Sequence, residues 1–301
     1  MRYKWGIDLG GTKIEGVILD AENNNETVAR LRLPTEQQKG YQHILSQIHG
    51  VILNLQKETG IKPTHIGMGT PGVIDPTTNK MKNSNTLCLI GKTLRTDIEE
   101  LSGCEFRTSN DANCFAVAET LMGVVADLDP KPQVVFGVIM GTGVGGGLVI
   151  GGNVINGRHG IAGEWGHNVL DPNGVDCYCG KTGCVEKVIA GPSLERYYEE
   201  ISGVRKSLKD ISIAHQNGED SLATQTVNYM VDNFGKAISC ILNTIDPDVV
   251  ILGGGVGNIP DLLDKAVEAT TPYIFNDKVE TTFLKPKLGD SAGVFGAALL
   301  W

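Results

Sequence analysis

Four side chains with high affinity for zinc lie close together in the middle of the sequence. Four thiolate or imidazole ligands complete the tetrahedral coordination of a structural Zn²⁺. Glycines between the cysteines would let the loop wrap around the ion. The alternatives are unrelated reduced thiols and a disulfide, which forms mainly in exported proteins. The spacing therefore predicts a zinc site filled entirely by protein, so that the metal is structural. Its ligands are His167, Cys177, Cys179 and Cys184.

Two carboxylates, Glu164 and Glu186, bracket this cluster. A bound metal would fix the direction in which both of them point. The remaining cysteines and histidines are scattered, as is typical of small buried thiols and of ordinary surface or core histidines. They are Cys88, Cys104, Cys114, Cys240, His43, His49, His65, His159 and His215.

A glycine-rich turn at residues 8–12 joins two expected strands, Tyr3–Leu9 and residues 13–19. Glycines in a tight hairpin allow backbone N–H groups to converge on a phosphate. Thr12 adds a hydroxyl donor, and Asp8 would hold magnesium through water. The alternative is a plain hairpin turn.

A second glycine-rich turn follows the apolar strand Val134–Met140 and has the spacing G-x-G-x-x-G. That spacing marks a dinucleotide site only when it opens a helix. Another strand follows here, so the pattern favours a second phosphate hairpin. A third turn, residues 253–255, separates a buried strand from the helix Pro260–Thr270 and could admit a nucleotide or merely need positive φ.

Asn110 and Asp111 precede an expected helix at residues 112–122. Helix N-terminal amides stabilise an ionised carboxylate, which beside a sugar hydroxyl would act as a general base. The alternative role for Asp111 is an ordinary helix N-cap.

The elements that position these residues follow an α/β pattern. Apolar spacing predicts amphipathic helices at residues 36–59 and Ser221–Ile245, and a terminal helix at residues 293–301. Residues 152–191 show no regular spacing of hydrophobic residues and are expected to form an irregular loop region. Strand–turn–strand segments at residues 6–19 and 137–150 suggest two similar halves. The length of 301 residues also favours two domains.

Composition excludes several classes of protein. The net charge of −9 argues against a nucleic-acid partner. No apolar run is long enough to span a membrane, and the N-terminus does not resemble a signal peptide. The expected location is the cytoplasm.

Together these motifs resemble the ROK family, whose name stands for repressors, open reading frames and kinases. The resemblance implies a two-domain actin-like, hexokinase-like (ribonuclease H-like) α/β ATPase fold with an interdomain cleft. It implies a smaller domain at residues 1–117 plus 289–301 and a larger domain, with the zinc loop, at 118–288. The matching stretches are residues 8–13, 69–72, 110–113, 141–145, 164–167, 177–186 and 253–255.

The resemblance also implies roles for individual residues. Asp111 is the general base, ATP and Mg²⁺ are cofactors beside Zn²⁺, and the protein is a homodimer. His167 would bind zinc through one ring nitrogen and sugar through the other. The implied sugar-binding residues are Asn85, Asn110, Asp111, Glu164, His167 and Glu186. The implied ATP-binding residues are Asp8, Gly10, Gly11, Thr12, Lys13, Gly141, Thr142, Gly143 and Gly145, with Gly254 and Gly255 near the nucleoside.

Within the family, residues 82–85, 162–168 and 177–181 look most like the bacterial fructokinase (mannokinase-type) branch. The expected reaction is therefore phosphorylation of D-fructose to fructose 6-phosphate. The alternatives are an N-acetyl-D-glucosamine, mannose or glucose kinase, and no physical argument from the sequence separates these sugars. Two further alternatives are a sugar-responsive regulator without kinase activity and a DNA-binding repressor. The early phosphate hairpin and the acidic charge disfavour the repressor.

Overall fold

The computed structural model describes residues Met1–Trp301 and has alternating strands and helices throughout. The strands are β1 Tyr3–Leu9, β2 Lys13–Asp20, β3 Glu26–Pro34, β4 His65–Thr70, β5 Val73–Ile74, β6 Met81–Lys82, β7 Glu105–Asn110, β8 Val134–Met140, β9 Val144–Ile150, β10 Asn153–Val154, β11 Val249–Gly253 and β12 Thr282–Leu284. The α-helices are α1 Tyr41–Thr59, α2 Leu94–Ser102, α3 Asp111–Leu121, α4 Val185–Ile189, α5 Gly191–Ser202, α6 Leu208–Gln216, α7 Ser221–Ile245, α8 Gly254–Gly257, α9 Pro260–Thr270 and α10 Ala292–Ala298.

The chain divides into two compact units. Unit 1 comprises Met1–Leu128, Gly147–Ala162 and Lys287–Trp301, and unit 2 comprises Asp129–Gly146 and Gly163–Pro286. These limits differ from the expected domains, because unit 1 continues past residue 117 and takes in a segment from the middle of the chain. The domain limits inferred from the resemblance stay a prediction.

Unit 1 is built on a five-stranded sheet in the order β3-β2-β1-β4-β7. β1, β4 and β7 are parallel, and β2 and β3 add an antiparallel edge. Alternate residues of a strand face opposite sides. Ile14 and Ile18 therefore pack with α1 in one cluster, and Val17 and Leu19 pack with α10 in another.

Helix α10 lies very close to the sheet. A Cβ atom on Gly67 of β4 would lie 1.7 Å from the carbonyl oxygen of Ala297. A Cβ atom on Gly6 of β1 would lie 2.4 Å from the carbonyl oxygen of Val294. Only glycine permits this approach, so residues distant in sequence are built into the core of unit 1.

The second sheet has the order β10-β9-β8-β11-β12, and β8, β11 and β12 run parallel. Within unit 2, the long helix α7 packs against α9. The core holds edge-to-face contacts of Trp165 with Phe136 and Phe234, at ring separations of 6.2 and 6.4 Å. No helix in the structure is both long enough and apolar enough to cross a bilayer.

The sequence predictions of individual elements differ from the structure in three places. The helix expected from residue 36 begins at Tyr41, because Gly40 has φ +87° and separates it from a short 3₁₀ turn. The terminal helix ends at Ala298 rather than at residue 301. Residues 152–191 are not wholly irregular, since α4 forms at Val185–Ile189 and α5 begins at Gly191, where Pro192 favours a first helical turn.

Candidate active site

In unit 1, the expected base lies where β7 passes into α3. The Asn110 side chain accepts a hydrogen bond from the backbone N–H of Asn113 at 2.8 Å, so Asn110 is the N-cap. Asp111 is the first helical residue, and one of its carboxylate oxygens accepts the N–H of Ala112 at 2.8 Å. The capping role therefore falls to Asn110, which leaves most of the Asp111 carboxylate available for other chemistry.

The carboxyl groups of Asp8 and Asp111 influence each other. Burial, together with the negative charges of Asp111 and Glu15, raises the pKa of Asp8 to about 6, against the opposing charge of Lys13. Burial also raises the pKa of Asp111, against the hydrogen bonds from its amide neighbours. Asp8 lies near the carboxyl end of β1 and Asp111 directly follows the carboxyl end of β7, the edge at which α/β sheets bind ligands. Two neighbouring carboxylates repel each other when both are ionised, and a hard divalent cation such as Mg²⁺ would offset that repulsion.

The hairpin between β1 and β2 is closed by a hydrogen bond from the Gly10 N–H to the Lys13 carbonyl, at 2.9 Å. Thr12 is exposed at its tip, and the Lys13 ammonium lies 3.4 Å from the Glu15 carboxylate. Asn85 is exposed, and its N–H donates to the Pro71 carbonyl at 3.4 Å, within the family-like stretch 69–72.

Sequence reasoning missed a charged network next to this hairpin. Glu15 is only 1% exposed, and it pairs with Arg30 and, at 2.9 Å, with Arg32. With Lys13, three cations surround one carboxylate and leave an excess of positive charge. The signal was the alternation of charge along β2 and β3, but only the register of the two strands shows that Glu15 lies opposite Arg32.

In unit 2, the turn between β8 and β9 carries Gly141, Thr142 and Gly143, and Gly145 is the second residue of β9. The Val144 N–H donates to the Glu186 carboxylate at 3.2 Å. A Cβ atom on Gly143 would lie 2.6 Å from the same carboxylate oxygen. Glu186 therefore joins this hairpin to the cysteine loop, as well as being available to a ligand.

Two glycines of the third glycine-rich segment, Gly254 and Gly255, differ in their surroundings. Gly254 has φ +82°, and a Cβ atom there would lie 2.2 Å from the Met140 carbonyl oxygen. Gly255 has open space around it. Gly254 is thus required by the backbone, whereas Gly255 leaves room for a ligand.

The cysteine and histidine side chains converge as predicted. One ligand atom from each lies within 4.8 Å of the others. The Cys179 and Cys184 sulfurs are 3.5 Å apart, close to the edge of about 3.8 Å of a tetrahedral zinc–thiolate site. All seven cysteines are free thiols, so the disulfide alternative does not form. Burial and the neighbouring thiols raise the pKa of Cys184 to about 12, a cost that a bound cation would remove.

The two ring nitrogens of His167 have different surroundings. Nδ1 lies 3.6 Å from the Cys177 sulfur, and Nε2 lies 3.1 Å from the hydroxyl of Tyr178. Nδ1 is therefore placed for the metal and Nε2 for a second partner. The contact of Tyr178 with His167 was not predicted, because Tyr178 lies between two cysteines and belongs to no recognisable motif of its own. Glu164 immediately precedes the 3₁₀ turn Trp165–His167.

The predicted residues thus fall into two groups, one in each unit. Unit 1 holds Asp8, Gly10, Gly11, Thr12, Lys13, Asn85, Asn110 and Asp111. Unit 2 holds Gly141, Thr142, Gly143, Gly145, Glu164, His167, Cys177, Cys179, Cys184, Glu186, Gly254 and Gly255.

Curated relatives match over nearly the whole chain. An N-acetyl-D-glucosamine kinase of Pectobacterium atrosepticum is 34% identical, with 98% of each chain covered. An N-acetyl-D-glucosamine kinase of Vibrio atlanticus is also 34% identical, again with 98% of each chain covered. The expectation of a fructokinase is therefore wrong. It relied on residues 82–85, 162–168 and 177–181, and likeness in these stretches does not separate kinases of different sugars.

A solved structure confirms the predicted fold class. The ROK hexokinase of Thermus thermophilus superposes with a TM-score of 0.87 and is 30% identical, covering 99% of this chain and 97% of its own. The family model described as ROK family matches residues 4–301. The chain therefore belongs to the ROK family.

Proposed function

We propose that the protein is an ATP-dependent sugar kinase that transfers a phosphoryl group to a hydroxyl of N-acetyl-D-glucosamine. The observation that carries the choice of sugar is the 34% identity, over 98% of both chains, to kinases of that sugar. The side chains at the two glycine hairpins, with an acidic residue at the start of α3, support the class of reaction.

Phosphoryl transfer depends on positioning and on neutralising charge more than on covalent steps. Asp111 accepts the proton of the attacking hydroxyl, and its raised pKa brings its basicity closer to neutral pH. Asn110 caps the first turn of α3, so the backbone that carries the Asp111 carboxylate is held in position. Asp8 would hold Mg²⁺, which supplies positive charge to the phosphates of ATP when bound.

The glycine turns provide the nucleotide contacts. Backbone N–H groups of the hairpin at residues 10–13 and of that at residues 141–145 donate to phosphate oxygens. Lys13 adds charge from one side chain. Gly255, which has open space around it, lies against the nucleoside.

Zinc has a structural role in this proposal. His167, Cys177, Cys179 and Cys184 would hold the ion, and coordination would fix the ring of His167. His167 Nε2, Glu164, Glu186, Asn85 and Asn110 then bind sugar hydroxyls. A homodimer, implied by the family resemblance, belongs to the same proposal and is tested by light scattering.

The test is ADP release measured with N-acetylglucosamine, glucose, mannose and fructose, compared by kcat/KM. N-acetylglucosamine is expected to exceed every other sugar at least about tenfold, which corresponds to about 1.4 kcal/mol of transition-state discrimination. A higher value for another sugar refutes the choice of substrate. If no sugar releases ADP, the regulator without kinase activity is the better description.

A further inference from the structure

A cavity of about 380 Å³ opens in unit 1 beside β7, the edge strand of the first sheet. Its polar wall includes Arg95, Arg107, Thr108, Asn153 and Asn156, and we call it the arginine cavity. It contains none of the residues assigned above to sugar, ATP or zinc. Its volume is within the range of small-molecule sites.

The charges of the arginine cavity are unbalanced. Arg95 and Arg107 both line it, and no Asp or Glu side chain does. Arg95 makes no side-chain hydrogen bond or ion pair, although it is half-buried. Two uncompensated guanidinium groups in one cavity are unexpected in a chain of net charge −9.

Arg107 is held in a defined orientation. Its guanidinium donates to the Leu300 carbonyl at 3.0 Å and stacks over the Trp301 ring, 3.8 Å from the centroid. Neither contact neutralises its charge. An arginine oriented in this way loses little conformational freedom when it binds an anion.

Asn156 supplies a neutral donor. Its Oδ1 accepts hydrogen bonds from Ser109 Oγ at 2.9 Å and from Asn113 Nδ2 at 3.4 Å. The carbonyl end of the amide is therefore in use, and its Nδ2 makes no hydrogen bond within the protein. Apolar side chains, among them Phe106 and Leu299, complete the wall and would accept the carbon part of a ligand.

We propose that the arginine cavity binds a phosphate monoester. Two guanidinium groups match the double negative charge of a phosphate monoester, whereas a single carboxylate would leave one of them uncompensated. Forked N–H donors fit phosphate oxygens in pairs, and the amide of Asn156 adds a third point of contact. The volume leaves room for an organic group of about the size of a sugar.

The test is calorimetric titration of the full-length protein with two probes, inorganic phosphate and N-acetylglucosamine 6-phosphate. The binding that counts is the part lost in the double variant described below, since a sugar phosphate can also bind the proposed sugar site. Within that part, tighter binding of the sugar phosphate assigns the apolar wall a part in recognition, and equal binding assigns the site to the phosphate group alone. Replacing Arg95→Gln or Arg107→Gln should weaken the binding about tenfold each, since a hydrogen bond to a charged group is worth about that factor. Arg205→Gln, which changes an exposed arginine outside the cavity, should have no effect.

The double variant Arg95→Gln/Arg107→Gln distinguishes the cavity from any other phosphate site. Binding that survives unchanged in this variant takes place elsewhere and overturns the proposal, as does the absence of binding of both probes up to about 10 mM. Hydrogen exchange of the unmodified protein provides a measurement that does not depend on a variant. Saturating probe should protect amides of β7 and of residues 152–156, and unchanged exchange there also overturns the proposal.

Discussion

The two glycine hairpins have the same strand–turn–strand form but different surroundings. The hairpin of unit 1 carries its own charges, with Asp8 before it and Lys13 after it, beside the buried Glu15 and its arginines. The hairpin of unit 2 has no charged residue between Gly141 and Gly146, and it is tied instead to the cysteine loop through Glu186. One hairpin therefore depends on local electrostatics, and the other depends on a neighbouring loop that a metal would stiffen.

The largest effect is expected at the start of α3, beside the charged hairpin. Asp111→Asn should lower kcat by about 10²–10⁴-fold while the sugar still binds, because the variant cannot accept the hydroxyl proton. Steady-state kinetics with calorimetric sugar binding measure both quantities. Asp264→Asn, an exposed acidic residue near the start of α9, is the control. A near-native kcat for Asp111→Asn would remove this residue as the base.

Loss of the metal should affect only the hairpin of unit 2. Cys179→Ser is expected to release zinc and raise the sugar KM about 10–100-fold, since His167 and Glu186 lose their support. Hydrogen exchange should quicken at residues 141–147 and stay unchanged at residues 8–13. Cys240→Ser, an exposed thiol outside the cluster, should retain zinc. Full zinc content in the Cys179→Ser protein, by elemental analysis, contradicts the assignment.

The glycine turn after β11 offers a matched pair of variants. Gly254→Ala should destabilise the protein by more than about 1 kcal/mol, because the residue has positive φ and its Cβ would meet the Met140 carbonyl. Gly255→Ala should change the free energy of unfolding little and raise the KM for ATP. Chemical denaturation and ATP kinetics measure the two effects, and equal losses of stability would show that both glycines serve the backbone.

The carboxyls near the charged hairpin also predict a pH dependence. Burial raises the pKa of Asp111 above its usual value, so the base becomes protonated, and inactive, at a higher pH than an ordinary aspartate would. As the pH is lowered, kcat/KM should therefore begin to fall at a higher pH than it would with an ordinary aspartate as the base, and below the pKa it should fall about tenfold per pH unit. A profile at saturating Mg²⁺ measures this. Activity that is flat down to pH 4.5 would mean that Asp111 titrates normally.

The smallest effect is expected from the network around Glu15. Arg32→Gln removes one of the three cations that surround Glu15 beside the hairpin of unit 1. The KM for ATP should rise by no more than about fivefold, because partly exposed ion pairs contribute little energy. The sugar KM should not change. Arg205→Gln is again the control. An unaltered KM for ATP in Arg32→Gln would limit the electrostatic role to Lys13.

Local sequence was sufficient for features whose residues are close together in the chain. The four candidate zinc ligands lie within one loop, and Asn110 and Asp111 lie on one turn, so spacing alone predicted that the members of each set lie together. The Glu15–Arg32 pair depends on strand register, and the arginine cavity combines residues from α2, β7 and the chain after α10. Such contacts are set by tertiary packing, which no local pattern records. The preferred sugar was wrong because the short stretches that suggested fructose do not separate kinases of different sugars, whereas identity over the whole chain favours another sugar.

The close packing of α10 has a consequence for how the protein is made. Ala297 lies over Gly67 without room for a methyl group, so residues near position 297 complete a core that begins with β1. In a chain growing from the ribosome, all five strands of the first sheet would emerge long before this helix. One face of that sheet stays incompletely covered until α10 has been synthesised. Unit 1 begins before unit 2 in the chain and is therefore completed after it.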